Sequence, residues 1–371
     1  MIYDFPPPWI GLSPGAYELS RAQVELGNKV TVFAGEWPRQ RAYQEADLRV
    51  KRFPFCLPYL NLYFTYGPSI LIKYLSDIHI NRFDMLHGHT FHPIYYHFYR
   101  NWFRDSTPYT LHMNITSAER IHRHKNVPFI TKIFDWPLAI KAEQKGCEVA
   151  DAIICVSESV RGEVLKWYKP NPEKVFVVPN GVNTRLFSPF GSNLKKELQL
   201  EDSKVILFVG RLYQNKNVNL LIESLTYLPR NFKLLVIGEG HNKEELIKLS
   251  YNLKVQKRII FKGFIPYLKL SNYYRTADIF VLLSTLEGFP KVILEALASG
   301  LPVIASNCFQ GDSYLSRHII QIKDLYPKKI AEKIQEVDQK NIKVNVEGIS
   351  NNYDWLVIAN RIQEIYQALL K

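Results

Sequence analysis

Two carboxylates with seven residues between them, Glu287 and Glu295, stand in the segment Glu287-Gly288-Phe289-Pro290 and the apolar run that follows it. Pro290 suits a first helical turn, and Gly300 and Pro302 mark a helix end, so Glu287 falls in a post-strand loop and Glu295 falls mid-helix. A carboxylate on a helix that is apolar on nearly every side is costly to bury unless it is paired or accepts hydrogen bonds from ligand hydroxyls. Sugars offer such hydroxyls; a structural Glu paired to a distant Arg or Lys is the other reading. A second constellation, Gly210-Arg211-Leu212-Tyr213-Gln214-Asn215-Lys216, lies between the apolar run VILFV and the helical run NVNLLIESLTYL. Glycine at a strand end admits close backbone approach, a helix N-terminus supplies N–H groups, and two cations complete a diphosphate site, or else a basic surface turn. Two further strand ends carry glycine, Gly238-Glu239-Gly240 and Gly263-Phe264-Ile265-Pro266. They suit either close approach to a nucleotide or ordinary tight turns, and a G-x-G without its third glycine is not a dinucleotide fingerprint.

Seven of the ten histidines fall between His87 and His124. His87 and His89 share one face of a predicted strand, but the region has no Cys partner and no H-E-x-x-H helix, so no metal site is expected. His112, ending the strand TPYTLH, is placed to face a cleft and position or polarise a substrate, or is a satisfied structural histidine. Between Arg100 and Lys132, Arg104, Arg120, Arg123, Lys125 and Lys132 are interleaved with Trp102, Phe103, Phe129 and Ile130. That composition suits an interfacial membrane patch; nucleic acid or a solvated helix pair would accept it too.

These residues need elements to hold them. The chain of 371 residues is long enough for two domains, and 47% hydrophobic against 22% charged residues supplies packed cores. Strands are expected at 29–34, 48–53, 85–89, 109–113, 152–156 and 175–178, then at 205–209, 233–237, 259–262, 279–283, 302–305 and 318–322. Continuous apolar strands alternating with helices describe an α/β architecture of two Rossmann-like, doubly wound parallel sheets. Ligands of such sheets sit at the carboxyl ends of strands, so a cleft between the two domains is the expected site. The segment from Asn183 to Ser203 holds the boundary, and the cut is placed after residue 189. The net charge of +12 argues for an anionic partner. Four scattered cysteines, Cys56, Cys147, Cys155 and Cys308, form no zinc ribbon or disulfide framework and fit a reducing cytoplasm. MIYDFPPPW has no readable signal-peptide pattern, and the uncharged stretch 53–72 is broken by Pro54, Pro58, Gly67 and Pro68, against a spanning helix.

Taken in order, FDMLHGH, TLH, ADAIICVSES, VPNGVNTRLFSP, FVGRLYQNK, VIGEGH, KGFI and ADIFVLLSTLEGFPKVILEALASGLPVIAS resemble the family-4 retaining glycosyltransferases of the GT-B fold. The resemblance implies an acceptor-binding domain over 1–189, a nucleotide-sugar domain over 190–351, and a last helix, 352–371, crossing back to the first domain. It implies that Glu287, His112, Arg211 and Lys216 serve transfer. The donor would be held by Gly210, Arg211, Lys216, Gly238, Gly263, Phe264, Gly288, Phe289, Pro290 and Glu295, with Gly15 from the first domain. A hexose would pass from a UDP- or GDP-sugar to a lipid-linked, glycan or polysaccharide acceptor, without metal or other cofactor and without nucleic acid, in the cytoplasm and peripherally at an anionic membrane. A silent nucleotide-sugar-binding scaffold or an epimerase on the same fold is the alternative. The chain departs from the family's pattern in Pro14-Gly15-Ala16-Tyr17-Glu18, where two glycines are usual, and in Ser306-Asn307-Cys308-Phe309-Gln310-Gly311-Asp312, which lacks G-G-x-P-E.

Overall fold

A computed structural model of the chain describes residues 1–2, 5–6, 12–35, 43–45, 47–53, 67–78, 82–123, 136–307 and 312–371. Cys56, most of the uncharged stretch, His124, Lys125, Phe129, Ile130, Lys132 and residues 308–311 lie outside them. The chain divides into two compact units, residues 1–180 with 355–371, and residues 181–354.

In the first unit, β1 (Val30–Gly35), β2 (Tyr43–Glu45) and β3 (Leu48–Phe53) form a sheet in the order β1-β3-β2, and β4 (Leu86–His89), β5 (Tyr109–Met113), β6 (Ala152–Cys155) and β7 (Val175–Val177) form a second, all-parallel one. Met1 and Ile2 bond to both: the Ile2 N–H donates to the Phe33 carbonyl at 3.0 Å, and the Met1 carbonyl accepts from the His89 N–H at 3.2 Å. β2 is antiparallel to β3 and was not expected from sequence. Three residues, Tyr-Gln-Glu, are too short and too polar to carry a strand pattern. The last helix, Trp355–Leu369, buries Trp355, Ile358, Ala359 and Ile362 against Leu19 and Ala22 of the helix Ser13–Glu25 and against Ile154 and Val178. The Gln23 side chain donates to the Ala359 carbonyl at 3.1 Å, fixing the register of the two helices.

The second unit is a six-stranded parallel sheet of β8 (Lys204–Val209), β9 (Phe232–Ile237), β10 (Ile259–Gly263), β11 (Ile279–Leu282), β12 (Val303–Ser306) and β13 (Ile319–Ile322), in the order β10-β9-β8-β11-β12-β13. Val205–Val209 and Ile279–Leu282 are buried along their whole length, as strands covered on both faces must be. Each Ile, Leu or Phe so buried contributes about 1.5–3 kcal/mol. From β8 the chain winds outward through β9 and β10, then returns to β11 on the other side. The direction of winding therefore reverses between β8 and β11, where α/β sheets open a crevice at their carboxyl ends.

The sequence cut after residue 189 falls beyond the observed division at Asn180/Gly181. Residues 182–187 belong to the second unit because the Val182 N–H donates to the Tyr353 carbonyl at 2.8 Å and the buried Phe187 ring packs on Tyr267 and Tyr274, each centroid 5.5 Å away. Pro, Gly and charge mark the exposed stretch around Phe190, whereas the division follows burial.

Candidate functional site

The loops that follow β8 and β11 come together at this reversal. After β8, Gly210 leads to Arg211 and to a short 3-10 turn, Gln214–Lys216, closed by Asn217 with φ 51°. After β11, Leu283–Pro290 leads into the helix Lys291–Ala298. Asn217 Nδ2 donates to the Leu283 carbonyl at 2.8 Å, and the Thr285 N–H donates to the Asn215 carbonyl at 2.9 Å, lacing one loop to the other. Lys216 Nζ then forms an ion pair with Glu287 Oε1, both side chains largely buried. Arg211 is exposed, its guanidinium carbon 5.9 Å from the centroid of the Tyr213 ring, which itself stacks on His241 at 4.7 Å. Lys216 and Glu287 thus stand together although 71 residues separate them.

Pro290 is the N-cap of its helix, with φ −76° and ψ 103°, rather than a residue of its first turn. The ring fixes φ near the helical value, but the extended ψ keeps the residue outside. No side chain caps this N-terminus, so its first N–H groups and the partial positive charge of the helix end face the loop that carries Glu287, Gly288 and the buried Phe289. Gly300, at φ 82°, closes the other end: its N–H donates to the Leu297 carbonyl and that of Leu301 to Ala296, a Schellman arrangement.

Glu295 is 6% exposed on this helix, and its Oε2 accepts from the Tyr274 hydroxyl at 2.7 Å. Burial, reinforced by Glu295, pushes the Tyr274 phenol far up, so it keeps its proton and remains a donor. Burial pushes the Lys291 ammonium down, and Glu295 opposes that shift. The sequence offered a distant Arg or Lys as the partner of a structural Glu295; the structure adds a tyrosine hydroxyl, invisible in sequence because Tyr274 lies on another helix, Tyr267–Tyr274.

The glycines at neighbouring strand ends crowd one another. A Cβ at Gly238, φ 131°, would overlap the Gly210 carbonyl oxygen and stand 2.9 Å from its carbon. A Cβ at Gly263, φ 68°, would stand 2.5 Å from Glu239 Oε1. Gly263 also accepts the Gly238 N–H at 2.8 Å, while Phe264 beside it is 52% exposed. A side chain at Gly238 is therefore excluded by the backbone at the end of β8, while the space beside Gly263 is taken by the Glu239 side chain. The loops after β8 and β11 bring together backbone, the cations Arg211 and Lys216 and a helix N-terminus, an arrangement that can hold a phosphorylated anion.

In the first unit His112 lies on β5, paired in register with His89 on β4, and is 4% exposed. Its Nδ1 is 3.2 Å from His87 Nε2. Ligand atoms of His87, His89 and His112 lie within 4.8 Å of one another, close enough to hold a metal ion, although the His87–His112 hydrogen bond occupies two of the nitrogens. Burial pushes the His87 and His89 imidazoles well below their ordinary range, with neighbouring histidines and the N-terminal amine adding to it. Gly15 is buried in the first turn of Ser13–Glu25. Of the basic and aromatic segment, Trp102, 77% exposed, and Phe103, 70% exposed, close the helix Ile94–Phe103 beside the exposed Arg104. Among the described residues no helix is long and apolar enough to cross a membrane.

Comparison with known proteins bears on both units. The family described as glycosyltransferase family 4 matches residues 10–186, and that described as glycosyl transferases group 1 matches residues 191–352. An uncharacterized glycosyltransferase of Methanocaldococcus jannaschii is 34% identical over 184 residues, covering 47% of each chain. Alpha-monoglucosyldiacylglycerol synthase of Streptococcus pneumoniae is 30% identical over 238 residues, covering 55% of this chain and 54% of that one. The chain thus spans about half the length of these curated relatives. The crystal structure of Anabaena HepE in complex with UDP and glucose superposes with a TM-score of 0.75 at 16% identity, covering 99% of this chain and 98% of that one, a likeness of fold.

Proposed function

The chain belongs to the family-4 glycosyltransferases of the GT-B fold, and on that footing we propose that it transfers a hexose from a UDP- or GDP-sugar to a lipid-linked or glycan acceptor, with retention of configuration and without a metal. The observation that carries the proposal is the laced pair of loops at the β8/β11 reversal, which brings Lys216 and Glu287 together beside Arg211 and an uncapped helix N-terminus. In a transfer, negative charge develops on the departing diphosphate, and fixed cations and N–H dipoles stabilise it without reorganising. Arg211 and Lys216 take that role. Glu287, paired with Lys216, meets the transferred sugar together with Gly288, Phe289 and Pro290, and Glu295 accepts from the ribose hydroxyls while sharing Tyr274. Gly210, Gly238, Gly263 and Phe264 form the edge against which the nucleotide lies. His112 and Gly15, both in the first unit, are assigned to the sugar and the donor by the family resemblance.

A lipid-linked acceptor accords with the Streptococcus pneumoniae relative being an alpha-monoglucosyldiacylglycerol synthase, and with the exposed Trp102, Phe103 and Arg104, which suit the boundary of an anionic membrane on its cytoplasmic face. The HepE structure holds UDP and glucose, which favours a UDP-sugar as the first donor to assay. The test is turnover of UDP- and GDP-hexoses with a lipid-linked acceptor in the presence of a chelator, with the product anomer read by NMR. Glu287→Gln and Lys216→Ala are expected to abolish turnover; full activity in both variants refutes the site.

A further inference from the structure

The histidine group of the first unit is wired to the end of the chain. His87 is engaged at both ring nitrogens: Nδ1 lies 2.5 Å from the Tyr366 hydroxyl and 3.1 Å from Thr110 Oγ1, and Nε2 lies 3.2 Å from His112 Nδ1. Tyr366 belongs to the helix Trp355–Leu369, which the Gln23–Ala359 bond and a shared apolar core hold in place. A neutral imidazole has one N–H, so whichever nitrogen of His87 accepts, the other donates. Burial keeps His87 neutral and keeps the phenol proton on Tyr366. Thr110 Oγ1 has an acceptor of its own in the Leu86 carbonyl at 3.3 Å. With Tyr366 as the donor to His87 Nδ1, the bonds run in one direction, and His87 Nε2–H donates to His112 Nδ1.

We propose that Tyr366 is a positioning residue that sets the tautomer of His112 through His87, so that neutral His112 carries its proton on Nε2. The other groups facing this chain are His89, stacked on His112 with centroids 5.1 Å apart, and the Met1 amine, which donates to the His87 carbonyl at 2.6 Å. Burial pushes that amine down to about 5, and His92 lies close enough to His89 to disfavour its charge. The tautomer follows from the first unit alone. Its consequence for transfer rests on the reading that His112 acts on the sugar: an Nε2–H is a donor, so His112 polarises or orients a sugar oxygen and does not take a proton from it.

The full-length protein labelled with ¹⁵N at histidine decides the matter by NMR, in the presence of a chelator. The wild type is expected to show His112 protonated at Nε2, and Tyr366→Phe, which keeps the ring and loses the hydroxyl, is expected to move His87 and His112 toward the opposite tautomer. His112 protonated at Nδ1 in the wild type overturns the proposal without any variant, and so does an unchanged His112 signal in folded Tyr366→Phe. Donor turnover supplies the second reading. A preorganised hydrogen-bond donor is worth about 10²–10³-fold, so a shift of most His112 to the other tautomer is expected to lower turnover about tenfold at unchanged nucleotide affinity. A changed tautomer with full turnover keeps the relay and refutes the role of His112 on the sugar.

Discussion

Replacing Gly238 by alanine adds a single methyl group at the most crowded point of the candidate site. Its backbone has φ 131°, outside the range that a side chain accepts, and the new Cβ would overlap the Gly210 carbonyl oxygen. To bring the Cβ from 2.9 Å to an ordinary 3.4 Å from the carbonyl carbon, the ends of β8 and β9 must part. Yet the Gly210 N–H holds the Ile237 carbonyl at 3.0 Å, and the Gly238 N–H holds Gly263 at 2.8 Å. Backbone strain of about 1–3 kcal/mol, overpacking of similar size and one weakened hydrogen bond together predict a loss of about 3–5 kcal/mol. Gly162 is the control. It lies exposed inside the helix Glu158–Trp167 with nothing within 4 Å of a Cβ, so Gly162→Ala is expected to gain about 0.5–1 kcal/mol. Urea unfolding of the full-length chain, followed by fluorescence, reads both. A Gly238→Ala protein within about 1 kcal/mol of wild type would refute the argument that these strand ends are packed against side chains of any size.

Tyr274→Phe leaves the buried Glu295 carboxylate short of a donor and is expected to cost about 1–3 kcal/mol by urea unfolding, recovered in part when a nucleotide sugar binds. Acid should loosen the first unit. His92 and His97 are each pushed by burial down to about 3 from an ordinary 6.5, and His87 and His89 lie well below it. The unfolded chain therefore binds more protons below about pH 6.5, and His92 and His97 each remove about 1.4 kcal/mol of stability per pH unit as the pH falls from there toward 3, with His87 and His89 shifting the balance in the same direction. The unfolding midpoint should drop between pH 7 and 5, and a flat profile would contradict the burial of these rings. Trp102→Ser with Phe103→Ser should lower co-sedimentation with anionic vesicles and leave soluble-donor hydrolysis unchanged.

Much of this arrangement was legible in the residues. Runs such as VILFV and IFVL are short, apolar and followed by glycine or a polar loop, and all twelve strands expected on that pattern are present within a residue or so of their expected limits. Tyr43–Glu45 escaped because three polar residues at a sheet edge have no period to read. At the candidate site the residue types were legible and their partners were not. Glu287 and Lys216 were each singled out, but their ion pair depends on β8 and β11 being neighbours, which strand order decides. Tyr274 and Tyr366 carry no local signal at all, since a tyrosine on a helix is ordinarily core, and only packing shows that each hydroxyl serves an acidic or imidazole partner.

The most direct test of the central claim is calorimetric titration of the full-length protein with UDP and with GDP in the presence of a chelator, beside Lys216→Ala and Arg211→Ala. The account predicts that one nucleoside diphosphate binds the wild type without metal, that saturation at about 100 times its dissociation constant stabilises the fold by about 2.7 kcal/mol, and that both substitutions weaken binding. Binding that neither substitution alters, or none to either nucleotide, would contradict the assignment of the β8/β11 loops as the donor site.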